Sequence, residues 1–412
     1  MKPKTRIGLF SNMLLVLVFP SLLTAGLLLS LVTCSDAPNG HPREQNERHS
    51  SALPTEPVAE ELPQRLGVIP MPSGHGSTAE GIVHPNGDAY ILNHSGSIAM
   101  VNGPHLLDLI TWPEETRGRP LAITLNSFTN QVYVVDYQVN ALHIITGTLV
   151  VTTIHNLAEN PKSIAIHPET GYTYITSAFR AKNMPKSGGV SVLNGTEVIT
   201  WIDIGRVPQA LVVNPVDKLV YVGYNADEAN PESLMVISNT TVVTRSVLGS
   251  VNASSIDRIA VNKQTGEMYM LQSPGRITYY NGQATKVLPV GKQGHHMNEI
   301  AIDARHNWVY ATSWEVPTSQ VLVIQEDKIL ATIPVGDDPR AVVVDETHDY
   351  VYVANRLSGT MSVIRGTEVI TTLETMGWGP AYITLDETRG YIYVSNSDSA
   401  SIAVFGFADA KH

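Results

Sequence analysis

Residues 341–373, AVVVDETHDYVYVANRLSGTMSVIRGTEVITTL, carry the pattern that decides the fold. Four short runs rich in Val, Ile, Thr and Tyr alternate with turns built from Asp, Asn and Gly. Runs of this length and composition are typical of β-strands that are joined in hairpins. The segment therefore predicts four consecutive antiparallel strands.

The same pattern recurs along the chain. A strand with a central tyrosine marks each copy, and successive tyrosines lie 41 to 48 residues apart. The marker residues are Tyr90, Tyr133, Tyr174, Tyr221, Tyr269, Tyr310, Tyr352 and Tyr393. A four-strand unit repeated at this period is typical of a propeller blade. We predict an all-β chain that forms a single β-propeller of four-stranded blades, eight in number, with seven as the alternative.

The two ends of the repeat region predict how the ring closes. The eighth unit contains three strands and ends near Phe405, while Leu66–Met71, before the first unit, resembles an isolated fourth strand. Pairing of these two segments would complete the eighth blade and remove two free sheet edges. We therefore expect a ring that is closed by an N-terminal strand.

The first residues predict export. Lys2, Lys4 and Arg6 precede an uncharged, largely apolar run over residues 7–33, which is long enough to cross a bilayer. We expect residues 1–34 to be a signal peptide or membrane anchor, residues 35–64 a disordered tether rich in Pro and Glu, and residues 65–412 the propeller. The expected location is the extracytoplasmic face of the cell membrane.

The single cysteine, Cys34, ends a Leu-Val-Thr-Cys stretch that resembles the lipobox of bacterial lipoproteins. The cysteine of a lipobox is lipidated, but that family has Gly, Ala or Ser where this chain has Thr33. Lipidation of Cys34, an uncleaved signal anchor and a freely secreted protein all stay open. A lone cysteine also excludes an intrachain disulfide and a thiolate metal cluster.

The repeat resembles a known family. Tyr352-Val-Ala-Asn355 and Tyr393-Val-Ser-Asn396 each follow an Asp-Glu-Thr turn and look like the motif of YVTN-type β-propeller repeats. The resemblance covers roughly residues 66–407, and the units around Tyr90 and Tyr269 depart from the motif. It implies an exported propeller of the kind found in surface-layer proteins of bacteria and archaea. It implies little about function, because the motif consists of strand and turn residues.

Alignment of the repeats places variable polar residues at the start of the first strand of each blade, around the mouth of the central channel. The candidate ligand-binding residues are Glu80, Lys162, Gln209, Asp257, Arg258, Asn298, Glu299, Arg340 and Tyr382. Charge is informative here because most other positions in this strand are apolar. A ring of mutually satisfied ion pairs is the alternative interpretation.

Metal and cofactor chemistry have little support in the sequence. We expect no cofactor and no metal site; His75, His295 and His296 are the candidates if a metal is bound, and solvated loop histidines are the alternative. No catalytic motif with defined spacing occurs in the chain. The missing motifs favour a protein that is not an enzyme, but they leave the question open because propeller enzymes assemble their sites from scattered loop residues.

These observations favour a monomeric, exported and membrane-anchored scaffold that binds a protein or an envelope polymer. The net charge of −11 disfavours nucleic acid as a partner. The alternative function is an enzyme of the lactonase or lyase type, with its site at the channel mouth.

Overall fold

The computed structural model describes residues 61–72, 78–112, 118–155, 157–179, 188–224, 233–246, 256–272, 275–290, 296–315 and 318–408. The predicted export segment, Cys34 and the tether up to residue 60 lie outside the described residues, as do His75 and His295. The segment Ala59–His412 forms one compact unit. Within the described part of the chain, no helix is long and apolar enough to cross a membrane.

The described strands form eight antiparallel sheets of four strands each. Blade 1 contains β2 (Thr78–Val83), β3 (Ala89–Asn93), β4 (Ser97–Asn102) and β5 (His105–Thr111). Blade 2 contains β6 (Pro120–Asn126), β7 (Gln131–Asp136), β8 (Ala141–Thr146) and β9 (Leu149–Ile154). Blade 3 contains β10 (Glu159–Ile166), β11 (Thr173–Phe179), β12 (Gly189–Asn194) and β13 (Glu197–Asp203). Blade 4 contains β14 (Pro208–Val213), β15 (Val220–Tyr224), β16 (Leu234–Ser238) and β17 (Thr241–Ser246).

The other four blades have the same order. Blade 5 contains β18 (Ile256–Val261), β19 (Met268–Gln272), β20 (Arg276–Tyr280) and β21 (Thr285–Pro289). Blade 6 contains β22 (His296–Asp303), β23 (Trp308–Glu315), β24 (Thr318–Gln325) and β25 (Lys328–Pro334). Blade 7 contains β26 (Pro339–Asp345), β27 (Tyr350–Asn355), β28 (Thr360–Arg365) and β29 (Glu368–Glu374). Blade 8 contains β30 (Pro380–Asp386), β31 (Tyr391–Asn396), β32 (Ser401–Gly406) and, as its fourth strand, β1 (Gln64–Pro70).

The ring is closed as the sequence predicts. Strand β1 pairs antiparallel with β32, from Gln64 opposite Gly406 to Pro70 opposite Ser401. The first strands of all neighbouring blades contact each other, including β30 of blade 8 and β2 of blade 1. The prediction of an all-β propeller with eight four-stranded blades is therefore confirmed.

The hydrophobic core lies between the blades. Side chains from the faces of two adjacent sheets form each buried cluster; Ile91 and Val101 of blade 1, for example, pack with Tyr393 and Val404 of blade 8. The second and third strands are almost fully buried, while fourth strands such as β5 are largely exposed. First strands are only partly buried because one edge faces the channel. In the two units that depart from the repeat motif, blades 1 and 5, all four strands are nevertheless paired.

All first strands run in the same direction along the axis of the channel, so the two ends of the channel differ. We call the end where first strands begin the upper end; it also carries the connections between blades and the loops between second and third strands. The lower end, where first strands finish, carries the turns between first and second strands and between third and fourth strands. The chain joins the ring at the lower end, where the Tyr350 hydroxyl donates a hydrogen bond to the Glu61 carbonyl over 3.1 Å.

Candidate functional site: the upper mouth of the channel

A β-bulge interrupts the first strand of every blade close to its start. In β14, for example, Pro208 and Ala210 lie opposite the consecutive residues Tyr224 and Gly223, so Gln209 has no partner. An unpaired residue of this kind turns its side chain away from the regular alternation of the strand. The unpaired positions are Ala79 and Glu80, Leu121, Lys162, Gln209, Asp257, Asn298 and Glu299, Arg340, and Ala381. The bulge is thus the local device that separates these residues, except the buried Ala79, from the packed interior.

The channel encloses a cavity of about 870 Å³. Most of the predicted site residues line this cavity. They are Glu80, Lys162, Gln209, Asp257, Arg258, Glu299 and Tyr382. A volume of this size is typical of a small-molecule site.

Four of these residues form one electrostatic cluster across the mouth. They are Glu80 of blade 1, Arg258 of blade 5, Glu299 of blade 6 and Tyr382 of blade 8. Arg258 Nε lies 3.3 Å from Glu299 Oε2, and Arg258 Nη1 donates to the carbonyl of Asp257 over 3.0 Å. Glu80, from the opposite side of the ring, interacts electrostatically with both Glu299 and Arg258. Tyr382 belongs to the same cluster. Burial raises the pKa of its phenol, and the negative charge of Glu80 raises this pKa further.

Glu80 is the perturbed acid of the cluster. Its side chain is exposed to the channel, and the channel wall around it limits its contact with bulk water. This enclosure, followed by the negative charge of Glu299, raises the pKa of Glu80 to about 7, while Arg258 acts in the opposite direction. An acid with a pKa near neutrality can be charged or neutral under physiological conditions.

The other cation of the mouth, Lys162, donates a hydrogen bond to Gln209 Oε1 over 3.1 Å. Burial lowers the pKa of Lys162. His94 also lines the cavity, where its Nδ1 lies 3.1 Å from the Pro120 carbonyl, and burial lowers its pKa. A histidine with a lowered pKa is mostly neutral at pH 7 and adds no cation to the wall.

Asn298 and Arg340 do not line the cavity and make local contacts instead. Asn298 Nδ2 donates to the Pro339 carbonyl over 2.8 Å, which connects blade 6 to blade 7. Arg340 Nε lies 2.8 Å from Oδ1 of the buried Asp338. A role for either residue in ligand binding stays a prediction.

The charged residues at the lower mouth are not among the site residues that the sequence predicts. Lys263 Nζ from blade 5 reaches Glu346 Oε2 of blade 7 over 2.7 Å and so spans blade 6. Glu387 of blade 8 lies on the same wall, where burial and then Asp345 raise its pKa. All three directly follow an Asn or Asp at or just beyond the end of a first strand, and an alignment of that position across the repeats would have found them.

The described residues contain one group that could ligate a metal, Asp303, His306 and Asp349 at the lower end. The group is already satisfied: His306 Nδ1 lies 2.6 Å from Asp303 Oδ2, and Arg305 Nη2 lies 2.6 Å from Asp349 Oδ1. Blade 7 repeats the Asp–His pair at Asp345 and His348. Because the pair recurs as part of the turn, we interpret the group as structural. His296 is exposed, and its ring lies 5.7 Å from that of Trp314.

Three large apolar side chains are exposed at the upper end, on blade 7 and its connection to blade 8. Leu357, Met376 and Trp378 are 61%, 66% and 75% exposed. Met376 has a φ of 55°, a left-handed conformation that costs a non-glycine residue about 1 kcal/mol. The loops are nevertheless fixed, since Trp378 N donates to Ser399 Oγ over 3.0 Å and Asp398 N to the Trp378 carbonyl over 3.0 Å.

Comparison with solved structures supports the fold. The chain is similar to Kuenenia stuttgartiensis hydrazine synthase, with a TM-score of 0.53 and 14% identity over 82% of this chain and 98% of that chain. At this identity the likeness concerns the fold alone. No family model matches the chain. No curated protein matches it either.

Proposed function

We propose that the protein is an exported, monomeric binding scaffold that is held at the extracytoplasmic face of the membrane and binds a protein or an envelope polymer at its upper end. The observation that carries this proposal is the group of exposed side chains Leu357, Met376 and Trp378. Tryptophan side chains of this kind often dominate the energy of binding interfaces. Together the three residues offer an apolar contact area on a rigid loop system.

The surroundings of this surface favour a macromolecular partner. Arg356 Nη2 lies 3.1 Å from the Asp398 carboxylate beside Trp378 and supplies a polar rim. The hydrogen bonds that Trp378 N and the Trp378 carbonyl make with Ser399 and Asp398 fit a preorganised surface. Preorganisation lowers the entropic cost of binding.

The proposed location rests on the sequence of residues 1–34 and agrees with the way the chain joins the ring. A tether that arrives at Glu61 arrives at the lower end. The upper end, with Trp378, then stays accessible to a partner from the cell envelope.

Site-specific crosslinking tests the proposal in cells that produce the full-length chain. We replace Trp378 by a photoreactive amino acid and, as a control, do the same at Phe128, which is 55% exposed in a lower-end turn. We expect a discrete light-dependent adduct from position 378 and none from position 128. Digestion of the adduct with protease distinguishes a protein from a polymer. Equal labelling at both positions, or none at position 378, contradicts the proposal.

A second candidate function is catalysis at the channel mouth. The observation that favours it is the carboxyl of Glu80, whose pKa of about 7 suits a general acid and which interacts electrostatically with a second carboxylate, Glu299. A panel of lactones and uronic-acid polymers tests this candidate. Turnover that is lost in Glu80→Gln and kept in Glu387→Gln would support an enzyme, and no turnover by the unaltered chain would reject it.

A further inference from the structure

The cluster at the upper mouth is one positive charge short. Two carboxylates, Glu80 and Glu299, share a single guanidinium, that of Arg258. Glu299 forms an ion pair with Arg258 Nε, and Glu80 forms none with this guanidinium. One negative charge at the mouth therefore lacks a direct partner among the described residues.

That charge belongs to Glu80. Its carboxylate accepts no hydrogen bond from any residue that the structure describes, and its side chain is exposed to the channel. A carboxylate that faces a cavity without a protein partner is free to pair with a cation that enters the cavity.

Tyr382 of blade 8 completes the surroundings of Glu80. Its side chain lines the same cavity and packs against the core cluster that contains Ala79, the residue before Glu80. A carboxylate near an aromatic ring is an arrangement by which proteins bind ammonium groups. We propose that the upper mouth binds an organic ammonium ion between Glu80 and Tyr382.

The charge of the whole channel agrees with a cationic ligand. The described wall carries five acidic residues and three basic residues, a balance of −2. The acidic residues are Glu80, Asp257, Glu299, Glu346 and Glu387, and the basic residues are Lys162, Arg258 and Lys263. Such a wall concentrates cations and repels anions.

A metal ion fits the mouth less well than an ammonium ion. Within the described residues, neither Glu80 nor Glu299 belongs to a group of three side chains close enough to ligate a metal. Divalent cations prefer several oxygen ligands at short range. An ammonium ion needs only one carboxylate and an aromatic face.

Protons compete with the ligand for Glu80. The groups that face it are Glu299, which raises its pKa, Arg258, which lowers it, and Tyr382, while His94 is held neutral by burial. Because the pKa of Glu80 is about 7, its carboxylate is charged above this pH and protonated below it. Affinity for the cation therefore increases as the pH is raised through 7.

Calorimetric titration of residues 59–412, the compact unit that contains every described strand and core cluster, tests the inference. The probe is choline, and its control is 3,3-dimethylbutan-1-ol, which has the same shape and no charge; the buffer contains sodium chloride throughout. At about pH 8 we expect choline to bind about tenfold or more tightly than the alcohol. At about pH 5 we expect this preference to be lost.

Two variant pairs assign the site. Glu80→Gln should weaken choline binding about tenfold, whereas Glu387→Gln, at the other end of the same channel, should leave it unchanged. Tyr382→Phe should bind choline and Tyr382→Leu should bind it more weakly. Glu80→Gln should also unfold at a higher temperature than the unaltered chain at about pH 8, because it removes a charge that the fold disfavours.

Several results overturn the inference. The first is equal affinity for choline and the alcohol. The second is an effect of Glu387→Gln on choline binding as large as that of Glu80→Gln. The third is the absence of binding heat when choline is titrated, which would mean that only sodium ions occupy the site. None of these results bears on the crosslink from position 378, so failure here and failure of the proposed scaffold function are distinguishable.

Discussion

At the scale of single residues, the tyrosine that marks the repeat holds neighbouring blades together. In five blades its hydroxyl crosses to the turn between the third and fourth strands of the next blade. The pairs are Tyr90 with Gly147, Tyr174 with Asn239, Tyr269 with Glu326, Tyr310 with Gly366, and Tyr393 with Gly103. Tyr221 and Tyr352 bind aspartates of their own blades instead. The tyrosine is therefore both a core side chain and a specific link between blades.

This link predicts a difference between two tyrosines at the same repeat position. Tyr310→Phe loses the hydrogen bond of 3.0 Å to the Gly366 carbonyl, and we expect the free energy of unfolding to fall by about 1 kcal/mol. Tyr133 is equally buried, but its hydroxyl binds no described residue. Tyr133→Phe should therefore have almost no effect. Denaturant unfolding of both variants checks this, and equal losses would show that the hydroxyl is not what matters.

The channel residues mark how far the sequence determines the candidate site. Aligned repeats place Glu80 and Arg258 at the upper end, where the structure has them, because one blade position is equivalent to the next. The alignment cannot reveal that Arg258 forms its ion pair with Glu299, which leaves Glu80 without a partner among the described residues. That outcome depends on distances across the ring between blades 1, 5 and 6. Ligand binding by these residues stays a prediction.

At the scale of secondary-structure elements, strand period and composition predict the four strands of each blade but not the bulge in the first strand. One extra residue leaves the apolar pattern on both sides of it intact, so the sequence still resembles an ordinary strand. In five blades a proline directly precedes the unpaired residue, as in Pro208-Gln209, and in four of them this proline opens the first strand. The available signal was this proline, which a polar residue follows in three of the five blades.

The closing strand β1 gives a test at this scale. Ile69 is 5% exposed and packs between blades 8 and 1, while its neighbour Val68 points outward and is 37% exposed. Ile69→Asp buries a carboxylate in the core and should lower the free energy of unfolding by about 4 kcal/mol or more. Val68→Asp should change it by less than about 1 kcal/mol. If the two variants were equally stable in denaturant titrations, β1 would not be the strand that closes the ring.

At the scale of the whole molecule, the two ends of the described chain meet. Ala408 N donates a hydrogen bond to Glu61 Oε1 over 2.9 Å. A closed ring whose ends are adjacent has no preferred place for a chain break, provided that the break falls in a connection between blades. The eight equivalent interfaces thus make the ring independent of where the polypeptide begins.

Circular permutation tests this property. A chain that starts at Val251, continues through a short Gly/Ser linker from residue 412 to residue 59 and ends at Ser250 opens the connection between blades 4 and 5. We expect it to fold with a single unfolding transition and β-sheet circular dichroism close to that of residues 59–412. A permuted chain opened between Val192 and Leu193, within the buried β12, should not fold. Misfolding of the first chain would mean that the order of the blades matters.

Strand β1 also decides how the ring carries a mechanical load. The chain before Gln64 leaves from the lower end, so a pull along the strand direction acts on the whole ladder between Gln64–Gly406 and Pro70–Ser401 at once. Such a shear load is shared by all the hydrogen bonds of the ladder, whereas a sideways pull would break them one after another. The strand that completes the eighth blade is therefore also the joint through which any force on the N-terminal side would reach the propeller.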